Sequence, residues 1–193
     1  MLTGDEATVR KVVGWWRGLQ PDPEKQQPGD RAALARLRRC ASVTEALFEP
    51  ETQALIHRCG ARSDAAMARL ALAAAVLAHV RDERREGSVA RQVGISKLTD
   101  TDQIEALCKP LRFRRLMDAG TYEECLRAFR RLVALAGRKV NVPDLTEALL
   151  KWPREGAHDN GVGEHIRRKW VYGYWNAGQP QSGTGIISNV WAA

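Results

Sequence analysis

The side chains able to do acid–base, nucleophilic or metal chemistry are few in this sequence and poorly spaced for it. Its four histidines are His57, His79, His158 and His165. They form no HExxH or HxxxH motif of the kind that places two imidazoles on one metal. His79, at the end of an apolar stretch, reads as a core or boundary residue rather than a ligand. Gly161-Val162-Gly163 lacks both the third glycine of a dinucleotide loop and the Gly-Lys-Ser/Thr of a phosphate loop. Gly183-Thr184-Gly185 has no strand pattern before it. No serine or lysine stands in a GxSxG or SxxK context. Cys40, Cys59, Cys108 and Cys125 are widely separated, with no CxxC pair, and read as reduced core thiols. The expectation is a non-enzymatic chain with no cofactor and no metal.

Charge is the more informative chemistry. Lys and Arg number 30 against 23 acidic residues, a net charge of +7, which favours a polyanionic partner, either nucleic acid or an anionic membrane surface. Arginine dominates, and its planar fork suits phosphate oxygens. Two clusters stand out. Arg31, Arg36, Arg38 and Arg39 lie in a stretch with no acidic residue up to Cys40, whereas a solubilising helix usually mixes signs at i,i+4. Between residues 109 and 139 there are nine basic residues, opposed only by Asp118, Glu123 and Glu124. With Tyr122, Leu126, Phe129 and Val133 on the core face of a helix, Arg127, Arg130 and Arg131 are expected to project away from it. Two readings of this face stay open: a phosphate-binding surface, or a solvated one in which Glu123 pairs with Arg127. The tryptophans at 15, 16, 152, 170 and 175 match buried stripes, so core packing is favoured over base stacking.

The elements that must carry these residues are helical. Apolar spacing predicts a helix over residues 5–19, and Asp30 is expected to cap a second one reaching Cys40. Pro50 opens and Gly60 ends a short helix. Ser63 or Asp64 starts the longest, running to about Glu86. It is apolar nearly all round between residues 65 and 80, the pattern of a central helix. Residues 88–101 read as a short helix and a connection, and 101–108 as a helix that Pro110 interrupts. Further helices are expected over 112–118, 121–136, 143–151 and 163–175. No stretch alternates with period two. The fold class is therefore all-α: two small helical bundles in tandem with no significant sheet, divided as residues 1–94 and 95–176, with a loosely held tail at 177–193. No signal-peptide pattern occupies the first ten residues, and residues 67–80, interrupted by Arg69, are too short to span a bilayer. A cytoplasmic location is expected.

The order of these pieces is itself informative. Trp15-Trp16-Arg17-Gly18-Leu19 is followed by Asp30-Arg31-Ala32-Ala33-Leu34-Ala35-Arg36-Leu37-Arg38-Arg39-Cys40, and later by Leu111-Arg112-Phe113-Arg114-Arg115-Leu116. Then come Leu126-Arg127-Ala128-Phe129-Arg130-Arg131-Leu132-Val133 and a closing Arg167-Arg168-Lys169-Trp170-Val171-Tyr172-Gly173-Tyr174-Trp175. From Val12 to Trp175 the series resembles the CasB family, the small subunit of the type I-E CRISPR-associated Cascade complex. The resemblance implies a non-catalytic two-bundle protein that stabilises guide RNA, target DNA and the displaced strand in antiviral defence. Its implied partners are those nucleic acids, the other Cascade subunits and a second copy of itself, with no membrane. Arg36, Arg39, Arg112, Arg114, Arg115, Arg127, Arg130 and Arg131 are the expected backbone contacts, joined by Lys97, Arg167 and Arg168. The rival readings are a sequence-specific helical DNA-binding regulator and a basic protein–protein scaffold.

Overall fold

Polar side chains just ahead of the apolar stretches set where the helices begin. The computed structural model describes residues 5–22, 24, 26, 28–97, 105–155 and 160–175. Asp5 accepts from the Thr8 amide at 2.7 Å and starts α1 (Glu6–Leu19). Asp30 does the same from Ala33, also at 2.7 Å, for α2 (Arg31–Arg39). Ser42 caps α3 (Val43–Leu47), a helix the sequence pattern does not announce. Pro50 opens α4 (Pro50–Cys59), and Gly60, at φ 69°, closes it in the left-handed region that glycine enters without strain. Ser63 caps α5 (Asp64–Leu77) and Ser88 caps α6 (Val89–Val93). Pro110 starts α7 (Pro110–Asp118), and a reciprocal Thr121–Glu124 capping box starts α8 (Tyr122–Leu135). Asn141 caps α9 (Val142–Lys151), and α10 (Asn160–Tyr174) ends the described chain.

The protein is all-α in its main mass, as its pattern predicts. The alanine-rich α5 is the central element, buried almost throughout from Leu70 to Leu77 and packed against α3, α4, α8 and α9. Small side chains let those neighbours approach on several sides. A second aromatic centre joins α8, α9 and α10. The Phe129, Trp152 and Trp170 rings meet edge to face at centroid distances of 5.1 to 5.7 Å. Each such pair adds about 0.5–1.5 kcal/mol beyond the area it buries. Phe113 on α7 stacks on Tyr174 at 3.9 Å, and the Tyr174 hydroxyl donates to the Cys108 carbonyl at 2.6 Å. Gly94 is required where α10 ends against the chain, because a Cβ there would lie 2.7 Å from Tyr174 Cα.

Two expectations are corrected. The helix expected to be the longest, α5, ends at Leu77 and does not reach Glu86: the Arg81 amide turns to the Arg138 carbonyl at 2.8 Å, and β1 (Asp82–Glu83) pairs in parallel with β4 (Lys139–Val140). The helix expected over 101–108 is replaced, where the chain is described, by β3 (Glu105–Ala106), antiparallel to β2 (Ile95–Lys97). Residues 98–104, and the expected tail from residue 177, lie outside the described residues. The buried residues form a hydrophobic cluster to which both halves of the chain contribute, with α8 and α9 packed on α5.

Candidate nucleic-acid interface

On α7, Arg112 and Arg115 are three residues apart; on α8, Arg127 and Arg131 are four apart. Each pair therefore shares one helix face. Phe113 and Leu116 on α7, and Cys125, Leu126, Phe129 and Val133 on α8, are buried, which turns the four guanidinium groups to the outside. The two faces meet across a groove of about 550 Å³, lined by all four arginines above an apolar floor that includes Leu116, Ala128, Leu132 and Leu135. Two carboxylates, Asp118 and Glu124, also line it. Glu124 is occupied by its own backbone: it accepts from the Gly120 and Thr121 amides at 3.0 and 3.1 Å. Those bonds hold its carboxyl below the ordinary glutamate value. None of Arg112, Arg115, Arg127 and Arg131 makes an ion pair among the described residues. The groove is thus a positively charged channel with unpaired planar donors, suited to phosphate oxygens.

The remaining expected residues divide. Arg114 is exposed on α7 but does not line the groove, and Arg168 is exposed on α10. Arg36 is held by Glu49 at 2.9 Å. Arg39 is exposed and, among the described residues, bonds to the Ala35 carbonyl of its own helix at 3.2 Å. Both lie at a second, smaller depression of about 350 Å³. Lys97 sits in β2, and its side chain lies outside the described residues.

Two expected contacts face inward. Arg130 does not project with Arg127 and Arg131. Its guanidinium donates to the Cys40 carbonyl at 2.7 Å and the Leu37 carbonyl at 3.2 Å, with longer approaches of 3.4 Å to Ala75. Arg167 is buried and donates to the carbonyls of Met117, Ala119 and Trp152, its cation 5.0 Å from the Trp152 ring centre. Arg38 and Arg69 behave alike, the first on Ala78 and the second on Leu150 and Pro153. The common reason is the set of carbonyls left unpaired at the ends of α2, α5, α7 and α9, where the helix dipole is negative. Burial pulls the pKa of Arg38, Arg130 and Arg167 below the ordinary arginine value. Part of the positive charge is therefore structural. The Glu123–Arg127 pair of the solvated-face reading is also absent, since Glu123 accepts instead from the Val43 amide at 2.9 Å and caps α3.

His79 lies in the core region with its Nε2 buried and without a hydrogen-bond partner. Burial, then the charges of Arg130, Arg38 and Arg138, push its pKa from 6.5 down to about 4. Among the described residues no group of three or more His, Cys, Asp or Glu is placed to hold a metal ion. None of the described helices is long and apolar enough to cross a membrane. A feature the sequence pattern does not reveal is Phe48, whose ring stands 83% exposed at the second depression.

Compared with known proteins, residues 33–175 match the family described as CRISPR-associated protein Cse2. No curated protein and no solved structure gives a significant match.

Proposed function

The chain belongs to the CRISPR-associated Cse2 family, the small subunit of type I-E Cascade, and from that premise we propose that it grips nucleic-acid backbone without reading sequence. Membership makes it a Cascade subunit in CRISPR defence, alongside the other subunits of that complex. The observation that carries the reading is the α7/α8 groove, with four arginines unpaired by any described carboxylate. Phosphate neutralisation by such donors is indifferent to base identity. The ligands are the guide RNA, the target DNA and the displaced strand, in the cytoplasm, with base pairing reading sequence while the protein reads backbone. Arg39, Arg114 and Arg168 extend the contact; Arg36 joins once released from Glu49, and Lys97 is a further candidate. Arg130 and Arg167 are left out because their guanidinium groups turn inward onto backbone carbonyls. A second copy of the chain in the same complex fits an elongated ligand. The chain performs no cleavage itself.

Charge reversal tests this. Arg127→Glu with Arg131→Glu should weaken binding to two oligonucleotides of unrelated sequence by the same factor, with the helical spectrum unchanged. A loss confined to one sequence would favour the regulator reading. No loss at all would favour the scaffold reading.

A further inference from the structure

The second depression carries an inference of its own. It lies where α2, α3 and α4 meet, lined by Arg36, Arg39, Cys40, Glu45, Phe48 and Glu49. Its two carboxylates are already committed: Glu49 to Arg36 at 2.9 Å, and Glu45 to the Ala41 amide at 2.6 Å. Arg39 is left as the one charge there without a carboxylate partner among the described residues. Beside it stands Phe48, 83% exposed, while Phe113, Phe129, Trp16, Trp152 and Trp170 are all buried. The ring is presented by a stiff turn. The Phe48 amide donates to the Glu45 carbonyl at 3.1 Å, the Gln53 side chain donates to the Leu47 carbonyl at 2.6 Å, and Pro50 fixes the backbone that follows. An exposed aromatic face beside a cation with no carboxylate partner among the described residues matches the two surfaces of an unpaired nucleotide: a flat base and a phosphate.

We infer that Phe48 is a stacking platform for an unpaired base of a single strand, with Arg39 taking the adjacent phosphate. This rests on the backbone-binding reading above and adds strand selectivity to it. The site adjoins the groove-bearing helix. α8 is tied to the C-terminus of α2 through Arg130 and to α3 through Glu123. A paired base hides both faces in its stack and gains nothing from the ring.

The experiment uses the full chain, a fluorescent twenty-nucleotide oligothymidylate and a duplex of equal length. Phe48→Ala should lower affinity for the single strand by about 5- to 150-fold, the range of aromatic–base stacking. Duplex affinity should stay as it was, Phe48→Trp should restore the loss, and the urea midpoint should not move, because the ring is exposed. Equal losses on both ligands would overturn the inference. So would an unchanged single-strand affinity in a variant that still loses binding on Arg127→Glu and Arg131→Glu, and that outcome leaves the backbone reading standing. If Phe48→Ala weakened only incorporation into Cascade, the ring would be a protein contact and the inference wrong. If the unaltered chain bound neither ligand at low salt, the backbone reading itself would fail, and this one with it.

Discussion

Replacing Arg130 by methionine keeps the aliphatic stem and removes every donor. In the structure those donors satisfy the Cys40 and Leu37 carbonyls at the end of α2, at 2.7 and 3.2 Å, and approach Ala75 in the last turn of α5 at 3.4 Å. Only the two shorter bonds have ordinary length. A charged hydrogen bond contributes about 1.5–3 kcal/mol, and a buried carbonyl left unpaired costs about 1–3 kcal/mol. The site is half-buried and water would replace part of the loss, so the expected destabilisation is about 2–4 kcal/mol. With a urea slope of about 2–3 kcal/mol per molar for a chain of this size, the unfolding midpoint should fall by about 1 M. Arg131→Met, one residue away but on the outer face, should change stability by less than about 0.5 kcal/mol. Nucleic-acid affinity should show the reverse ranking: weakened in the Arg131 variant, and nearly unchanged in whatever fraction of the Arg130 variant is folded. Equal urea midpoints for the two variants, with affinity lost in the Arg130 one, would refute the reasoning.

Three further outcomes are expected. Phe129→Ala, which removes a fully buried ring from the Trp152–Trp170 contact, should cost about 3–5 kcal/mol in urea unfolding; a change below 1 kcal/mol would contradict the packing. His79 has a folded pKa near 4 against an ordinary value of 6.5, so between those values the unfolded chain binds more protons than the folded one. Its effect on stability is therefore flat above about pH 6.5, grows as a loss while pH falls towards 4, and levels off below that. Urea midpoints of the unaltered chain and His79→Leu should diverge over that window, and parallel curves would exclude it. The four cysteines are buried, and burial raises all four thiol pKa values, that of Cys125 to about 12; a thiol reagent such as Ellman's should titrate them only in denaturant.

Much of the helical frame was legible because helix starts are local. Asp5, Asp30, Ser63 and Thr121 act as caps within three residues of themselves, and Pro50 and Gly60 bracket α4 as their backbone preferences demand. The end of α5 was not legible. Residues 78–86 continue a helix-compatible pattern, and what stops it is pairing with Lys139–Val140, more than fifty residues away. The groove arginines were legible for a similar reason: i,i+3 and i,i+4 spacing places them on one face whatever the tertiary contacts. Arg130 has the same local signature as Arg127 and Arg131. Its inward turn depends on carbonyls 90 and 93 residues distant in sequence, at the end of another helix. Arg167 is hidden likewise by partners on α7 and after α9. Arg69 was used only to exclude a membrane span, and its partners, the Leu150 and Pro153 carbonyls, lie more than eighty residues away in sequence. Phe48 gave none, because a phenylalanine between two short helices reads as core until its exposure is seen.

The most direct test of the backbone-binding account is the salt dependence of affinity for one duplex, measured for the unaltered chain and for a variant with Arg112, Arg115, Arg127 and Arg131 all changed to glutamine. Log affinity should fall linearly with log salt in both, and the slope of the variant should be shallower by about 0.9 for each groove arginine that contacts a phosphate. Identical slopes in two equally folded proteins would contradict the account and leave the groove a solvated surface.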